Sequence, residues 1–431
     1  MKKIEPIILK GTRDFLPTDM AKRNFVMNKI RTIFERFGYD AIETPIICPA
    51  ETILGKYVGE NTRLTYSFDD NGGRRIALPF DLTVPFARFF AAHYQDLPQP
   101  FKRYQIQRVW RAERPQKGRL REFYQCDVDI IGTRSLIAEA EIAKIVYEVF
   151  KDLGFSNFVI KFNTRRLMNA VLEKFSLPAE KIVDVIRIID KLDKLSKKEI
   201  LQELSELGIQ KIESEKILSL LTPEDTLQKT LEKFVSYDTS EIQEFIQYCD
   251  SLEIPQQYLL FDPSLARGLD YYTGIIYEIT STDVNFGTLC AGGRYDNLCG
   301  LFCDEDFSGV GVAFGFERLM IVLEELGMFK DINLSAKVLV TLFDNNSKAD
   351  ALSIYAELIR AGINSELYLE TDKLGKQLKY ADKKRIPFAI IRGDEERSKE
   401  EVMIKSMNSG KQKTIPLKQL ITYLSGYYES K

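Results

Sequence analysis

The sequence predicts an α+β protein, and three observations carry that prediction. Two stretches read as hairpins. A long middle segment has helical spacing and almost no glycine. The last hundred or so residues alternate strand and helix patterns. Residues 109–129 read VWRAERPQKGRLREFYQCDVD, with apolar-alternating runs on either side of Pro-Gln-Lys-Gly. Alternation argues strand, and proline with glycine argues a turn. Residues 64–68 and 75–78 flank an Asp-Asp-Asn-Gly-Gly turn, a second hairpin signal.

The remaining elements follow in chain order. Residues 17–38 read as a first long helix, with Thr18 and Asp19 suited to its start and Gly38 to its stop. Val26, Ile30, Ile33 and Phe37 recur at helical spacing and form one apolar stripe. Residues 39–50 read as a strand containing Pro45. Proline cannot donate to a ladder, so this strand belongs at an edge or an interface. A helix is expected to start just after Asp81 and Thr83 and to end near His93. Helix capping by one of those two residues is the plain reading, and an anionic floor for an ammonium group is the functional one. Residues 135–153 read as a helix and 158–162 as a strand. Residues 164–252 are rich in Lys, Glu, Leu and Ile and read as a small helical insertion with solvated charged faces. Strand character returns in LARGLDYYTGIIYEITS, FGTLCAGGRYDNLCG and FSGVGVAFGFERLMIVLEELG. In the last of these, one face of the strand is nearly bare backbone, which suits close approach by a ligand or by another chain segment. From Ala336 onward, strands and helices alternate into a compact α/β unit.

Composition narrows the classes. A chain of 431 residues implies about two to four domains. No stretch has the apolar length to span a bilayer, and the N-terminal run, broken by Glu5 and Pro6, does not read as a signal peptide. The six cysteines lack disulfide-framework spacing, so reduced cytoplasmic thiols are expected. Cys299 and Cys303, with Cys290 nearby, lack the spacing and histidine partner of a zinc site. His93 is the single histidine, so no histidine-based triad exists unless it serves, and it reads as a helix-end residue. Net charge is −3, so any nucleic-acid surface must concentrate its positive charge locally.

Chemistry gathers on the central hairpin. Arg111 and Glu113 fall on the entering strand, and Phe123, Gln125, Asp127 and Asp129 share one face of the leaving strand. Arginine, carboxylate, amide and an aromatic ring on one sheet surface suit a floor that holds a phosphate, a flat base and a small polar molecule. A solvated, charge-rich hairpin is the alternative. Arg318 sits in the first turn of a helix, where backbone N–H groups favour an anion. Lys373, Lys376, Lys379 and Lys383 recur at spacings of three, three and four and make one basic stripe. Such a stripe is either a solvated face or a contact for a phosphate backbone.

These motifs together resemble the class II aminoacyl-tRNA synthetases. R-x-E at Arg111 and Glu113, followed by R-x-x-x-F at Arg119 and Phe123, is similar to their second signature. GVGVAFGFERL at 309–319 is similar to the third, and the first helix with the Pro45 strand to the first, a dimer motif. ARGLDYYTG at 266–274 and AGGRYDNL at 291–298 resemble two blocks peculiar to the histidyl-tRNA synthetases. The resemblance covers nearly the whole chain. It implies an antiparallel sheet flanked by helices, a helical insertion and a C-terminal α/β anticodon-binding domain. The implied domains are a catalytic domain in two parts, 1–163 and 253–330, an insertion at 164–252, and an anticodon-binding domain at 336–431.

The resemblance also implies a reaction and its residues. Histidine attacks the α-phosphate of ATP to give histidyl-adenylate and pyrophosphate, and the histidyl group then passes to the terminal ribose of histidine tRNA. Arg111 and Arg267 would flank the α-phosphate, Arg267 standing where other class II enzymes use an extra metal ion. Arg119 and Arg318 would hold the outer phosphates, with Mg2+ bridging them. Phe123 and Arg318 would sandwich the adenine, and Glu113 would accept from its amino group or support the metal. Asp81, Thr83 and Gln125 would hold the α-ammonium group of histidine. Asp129 and Tyr272 would meet its imidazole, with Tyr271 nearby. Gln116 and Lys117 at the hairpin tip, and Lys373 and Lys376 on the stripe, would contact tRNA. A homodimer without membrane contact is expected. Two departures stand out: Pro79 where many members carry arginine, and Asp81 where one bacterial subgroup carries glutamate. The rival within the family is a non-catalytic paralogue that regulates ATP phosphoribosyltransferase in histidine biosynthesis. Another rival is a sensing module without turnover.

Overall fold

The computed structural model describes residues 3–55, 63–175, 177, 179–192, 195–266, 271–330, 332 and 334–429. It divides into two units, Met1–Asp14 with Phe25–Met328, and Phe15–Asn24 with Phe329–Lys431.

An eight-stranded sheet organises the first unit. Its strands are β1 (Asp40–Ala41), β5 (Phe101–Trp110), β6 (Glu122–Ile131), β7 (Phe158–Thr164), β8 (Leu259–Phe261), β9 (Ile275–Ser281), β10 (Thr288–Tyr295) and β11 (Gly309–Gly315). A second, three-stranded sheet is formed by β2 (Cys48–Pro49), β3 (Ser67–Asp69) and β4 (Arg75–Ala77). The large sheet runs β1-β5-β6-β11-β10-β9-β7-β8. Its interior pairings are antiparallel, as expected, while β1 on β5 and β8 on β7 add a parallel strand at each edge.

The central hairpin is longer than its sequence signature. β5 and β6 pair over ten residues each, from Phe101↔Ile131 to Trp110↔Glu122. β5 stops at Trp110, so Arg111 and Glu113 lie in the connection and not on the entering strand as expected. One further backbone bond, Arg111 N to Arg121 O at 2.9 Å, keeps that connection narrow.

The first helix is Pro17–Arg36. Val26, Ile30 and Ile33 are buried as expected, but Phe34 and not Phe37 completes the stripe. The expected strand at 39–50 is two short strands in two different sheets, with Pro45 in the irregular segment between. Without a ladder there, side chains from β5 take over: Gln105 Nε2 donates to Thr44 Oγ1 and Gln107 Nε2 to Thr44 O, each at 2.9 Å.

Helix Thr83–His93 packs Val84, Phe86, Ala87 and Phe90 into a core with Phe101, Ile131, Ile276 and Tyr295 from the large sheet. His93 ends that helix, its ring 4.9 Å from that of Phe89 and tilted by 47°. The insertion is helical throughout its described residues, from Arg165–Glu173 to Ser240–Ser251.

The second unit is an α/β sandwich with strand order β13-β12-β14-β15-β16. These strands are β12 (Val338–Val340), β13 (Ser365–Leu367), β14 (Phe388–Ile391), β15 (Glu401–Ser406) and β16 (Gln412–Pro416). β12, β13 and β14 match the sequence pattern, and the β15–β16 hairpin extends the sheet beyond it.

Candidate active site

The face shared by Gln125, Asp127 and Asp129 is the floor of a cleft of about 1050 Å³. Their cross-strand partners on β11 are Gly315, Ala313 and Gly311. Small residues there leave space above the carboxylates. At Gly311 a Cβ would lie 2.1 Å from Asp129 Oδ1, so glycine is required for Asp129 to stand where it does.

Arginines border one side of the floor. Arg111 Nε donates to Phe80 O at 3.0 Å, and its guanidinium lies 4.3 Å from the Phe80 ring and 5.2 Å from the Phe123 ring. Glu113 sits between two cations, 3.9 Å from Arg111 and 3.6 Å from Arg119. Arg318, in the first turn of helix Phe316–Glu325, donates to Thr288 O at 2.6 Å. Guanidinium groups stay charged and offer paired donors, so this rim is built for oxyanions, with the Phe123 ring as a stacking surface.

Carboxylates form the opposite, deeper side. Asp81 Oδ1 accepts from Val84 N at 3.1 Å, so the capping role and a place on the cleft wall are combined in one residue. Asp129 is met twice: Arg103 Nη2 lies 2.6 Å from Oδ2, and the Tyr295 hydroxyl donates to Oδ1 at 2.7 Å. Burial pushes the Asp129 carboxyl up, and Arg103 and Tyr295 pull it back. Burial also holds the Tyr295 hydroxyl well above the usual tyrosine range, which keeps it a donor. Arg103 is fully buried and lies 4.3 Å from the Phe86 ring. The Tyr271 and Tyr272 rings lie 4.8 Å apart, tilted by 60°, and both line the cleft.

The cleft brings together Asp81, Thr83, Arg111, Glu113, Arg119, Phe123, Gln125, Asp129, Tyr271, Tyr272 and Arg318. These residues span more than two hundred positions of sequence. Arg267 lies outside the described residues; Ala266 and Tyr271 on either side of that gap both line the cleft.

Gln116 and Lys117 do not line the cleft. Gln116 bridges to Arg119 across the hairpin tip, and Lys117 pairs with Glu325 at 2.7 Å. Lys373 and Lys376 belong to the second unit; both are exposed, and Lys376 pairs with Asp372 at 2.8 Å. Pro79, one of the two departures, gives its carbonyl to Trp110 N at 2.9 Å and so straps its segment to the end of β5.

Sequence reasoning missed Arg103 and Tyr295. A fully buried arginine inside a strand gives no alternation signal of its own. Tyr295 was visible in AGGRYDNL, but its partner is 166 residues away.

A family model described as Histidyl-tRNA synthetase matches residues 11–319, and one described as Anticodon binding domain matches 337–427. The chain is 38% identical to the histidine–tRNA ligase of Christiangramia forsetii over 448 aligned positions, covering 95% of this chain and 97% of that one. It is 37% identical to that of Clostridium tetani, covering 98% and 99%. The crystal structure of histidyl-tRNA synthetase from a Nostoc species superposes with a TM-score of 0.88 at 30% identity, covering 99% of this chain and 100% of that one.

Proposed function

The chain belongs to the histidyl-tRNA synthetase family, and we propose that the cleft described above is where its residues perform the family's reaction. The chain is an aminoacyl-tRNA ligase: it activates histidine with ATP to histidyl-adenylate and pyrophosphate, then transfers histidine to the terminal ribose of its tRNA. Relatives that are ligases over their full length, and the match to an anticodon-binding domain, favour this over the regulatory paralogue.

The division of labour is our reading. Arg111 and Arg267 flank the α-phosphate, where an in-line attack gathers negative charge. Fixed guanidinium groups there stabilise the transition state more than the ground state. Arg119 and Arg318 take the outer phosphates, and adenine lies between Phe123 and Arg318. Histidine lies deeper, its ammonium toward Asp81, Thr83 and Gln125 and its imidazole toward Asp129 and Tyr272. The histidine carboxylate is already ionised, so no general base is needed for the first step. Mg2+ would enter as part of the ATP substrate and would offset phosphate charge there. Glu113, on the cleft wall between Arg111 and Arg119, would stand beside such an ion. Among the described residues no helix is long and apolar enough to cross a membrane. A cytoplasmic homodimer is part of our reading.

The observation that carries this reading is the arrangement of one cleft with arginines on its rim and paired carboxylates at its depth. Pyrophosphate–ATP exchange tests it. With ATP and Mg2+, exchange should depend on histidine, and Arg267→Ala should slow it by orders of magnitude while histidine binding survives. Exchange that runs better with another amino acid would overturn the reading. Near-normal exchange in the arginine variant would remove Arg267 from the α-phosphate.

A further inference from the structure

We propose that Phe286 is a positioning residue for the nucleotide: it holds the tip of the central hairpin so that Arg119 stands in register with Arg318 for the outer phosphates of ATP. The role rests on the proposed reading of those two arginines as phosphate donors.

Arg119 and Arg318 come from distant parts of the chain, and both line the cleft. To converge on one polyanion, the segments that carry them must be held at a fixed separation. Arg119 belongs to a tip closed by its own short ladder: Gln116 N donates to Arg119 O at 3.0 Å, and Arg119 N donates to Gln116 O at 2.9 Å. The backbone of Arg119 therefore moves with Lys117 and Gly118, and whatever fixes those two residues fixes Arg119.

Phe286 lies in the connection between β9 and β10, flanked by the cleft-lining Asn285 and Gly287. Its ring packs against Gly118. A Cβ at Gly118 would lie 2.7 Å and 2.8 Å from two ring carbons, and 3.3 Å from Cγ of Arg318. Gly118 also has φ +74°, so the position calls for glycine both by backbone conformation and by space. The same connection reaches the second arginine, since Arg318 Nη1 donates to Thr288 O at 2.6 Å, two residues beyond Phe286. One short segment thus touches both arginine-bearing elements. Lys117 adds a second hold: its Nζ lies 5.4 Å from the centre of the Phe286 ring and 2.7 Å from Glu325, at the end of the helix whose first turn carries Arg318. Lys117 and Glu325 are both exposed, so their ion pair is weakly stabilising. The Phe286 ring is half-buried and packs on backbone, which makes it the stronger hold.

The test is Phe286→Ala in pyrophosphate exchange. The KM for ATP should rise by about 10-fold, because a small displacement of a positioned group is costly. The kcat should fall less, and the Kd for histidine should stay at the parent value. Phe286→Leu, which restores apolar bulk against Gly118, should recover most of the loss. In an Arg119→Ala background, Phe286→Ala should raise the KM for ATP by less than about twofold, because the group it positions is gone. Glu325→Gln in the parent should also move that KM by less than about twofold. An unchanged KM for ATP, a full additional loss in the Arg119→Ala background, an equal loss of histidine binding, or an effect of Glu325→Gln as large as that of Phe286→Ala would each overturn the proposal. Should Phe286→Ala fail to fold, Gly118→Ala drives the tip off the ring from the other side, and the same rise in KM is expected of it; a parent-like KM there overturns the proposal as well. A parent-like KM for ATP in Arg119→Ala alone would instead overturn the reading of Arg119 as a phosphate donor.

Discussion

Asp127 and Asp129 lie two residues apart on one strand face, and the Arg103 ion pair and the Tyr295 hydroxyl hydrogen bond both fall on Asp129. The difference has a consequence for stability. Asp127 is held well above the ordinary aspartate value in the fold, chiefly by burial. The folded state therefore binds its proton more tightly than the unfolded chain, so this group favours folding at low pH. That contribution is lost as pH rises from about 3.9, the unfolded value, through the raised folded value. Asp127→Asn removes the dependence. In urea melts without ligand, the variant should match the parent near pH 4 and gain on it as pH rises to 7. A gap that is constant with pH would show that the carboxylate titrates normally. The side chains around this pair were only partly legible in sequence. Period-two spacing put Gln125, Asp127 and Asp129 on one face, because a strand allows nothing else. Arg103 and Tyr295, which lie against Asp129, come from β5 and β10, and nothing local in the chain connects them to β6.

Among elements, β10 does more than border the cleft. Arg294, on that strand and 4% exposed, donates Nε to Glu139 Oε1 at 2.7 Å and contacts its other oxygen. Its Nη1 reaches Thr133 O at 2.6 Å and Ser308 Oγ at 2.8 Å. Its own carbonyl accepts Thr273 N at 2.9 Å, and Thr273 Oγ1 donates to Asp296 Oδ2 at 2.6 Å. The turn that carries Tyr271 and Tyr272 is thus tied to β10, and β10 to the first turn of helix Ile137–Asp152. Burial pushes the Glu139 carboxyl up and Arg294 pulls it down, as expected for a pair sealed from water. Removing one member leaves an uncompensated buried charge, so Glu139→Gln should cost about 3–5 kcal/mol. Glu139→Leu with Arg294→Met should recover most of it, because two apolar groups of similar size need no partner. Urea unfolding of the single and double variants decides: a single-variant cost below about 1 kcal/mol would class the pair with weak surface bridges. Elements were legible where apolar spacing was strong, as in β5–β6 and β12–β14. β15 and β16 were missed because their flanks are dominated by charged residues, and only Val402, Ile404 and Ile415 are buried among them. The Pro45 strand was misread because a proline that cannot pair ended a pattern the apolar residues alone would have continued.

For the whole molecule, the two steps of the reaction make different demands on the two units. Every residue lining the cleft lies between Leu64 and Arg318, within the first unit. On the proposed reading of the cleft, activation of histidine uses residues of the first unit. The second unit carries the anticodon-binding match and an exposed run of Lys373, Lys376, Lys379 and Lys383 on helix Leu374–Lys383 and its N-cap. The opposite face of that helix is fixed inward: Gln377 is fully buried, accepting from Leu342 N at 2.9 Å and donating to Leu342 O at 2.6 Å. The lysines therefore point outward as a set, and the expected stripe is real as geometry. In a chain of net charge −3 such a cluster is where a polyanion would be met. A solvated face predicts no effect of reversing it; a backbone contact predicts an effect confined to tRNA. The variant Lys373→Glu with Lys376→Glu and Lys379→Glu separates the two. Pyrophosphate exchange should stay at the parent level, because that step needs no tRNA. Aminoacylation should show a KM for tRNA raised by about tenfold or more, with a weaker dependence on salt, since fewer counterions are released when fewer phosphates are neutralised. If the KM for tRNA and its salt dependence both hold at parent values, the stripe is a solvated face and the second unit reads tRNA with other residues. If exchange falls along with aminoacylation, the two steps are coupled through the protein in a way that the division into units does not foresee.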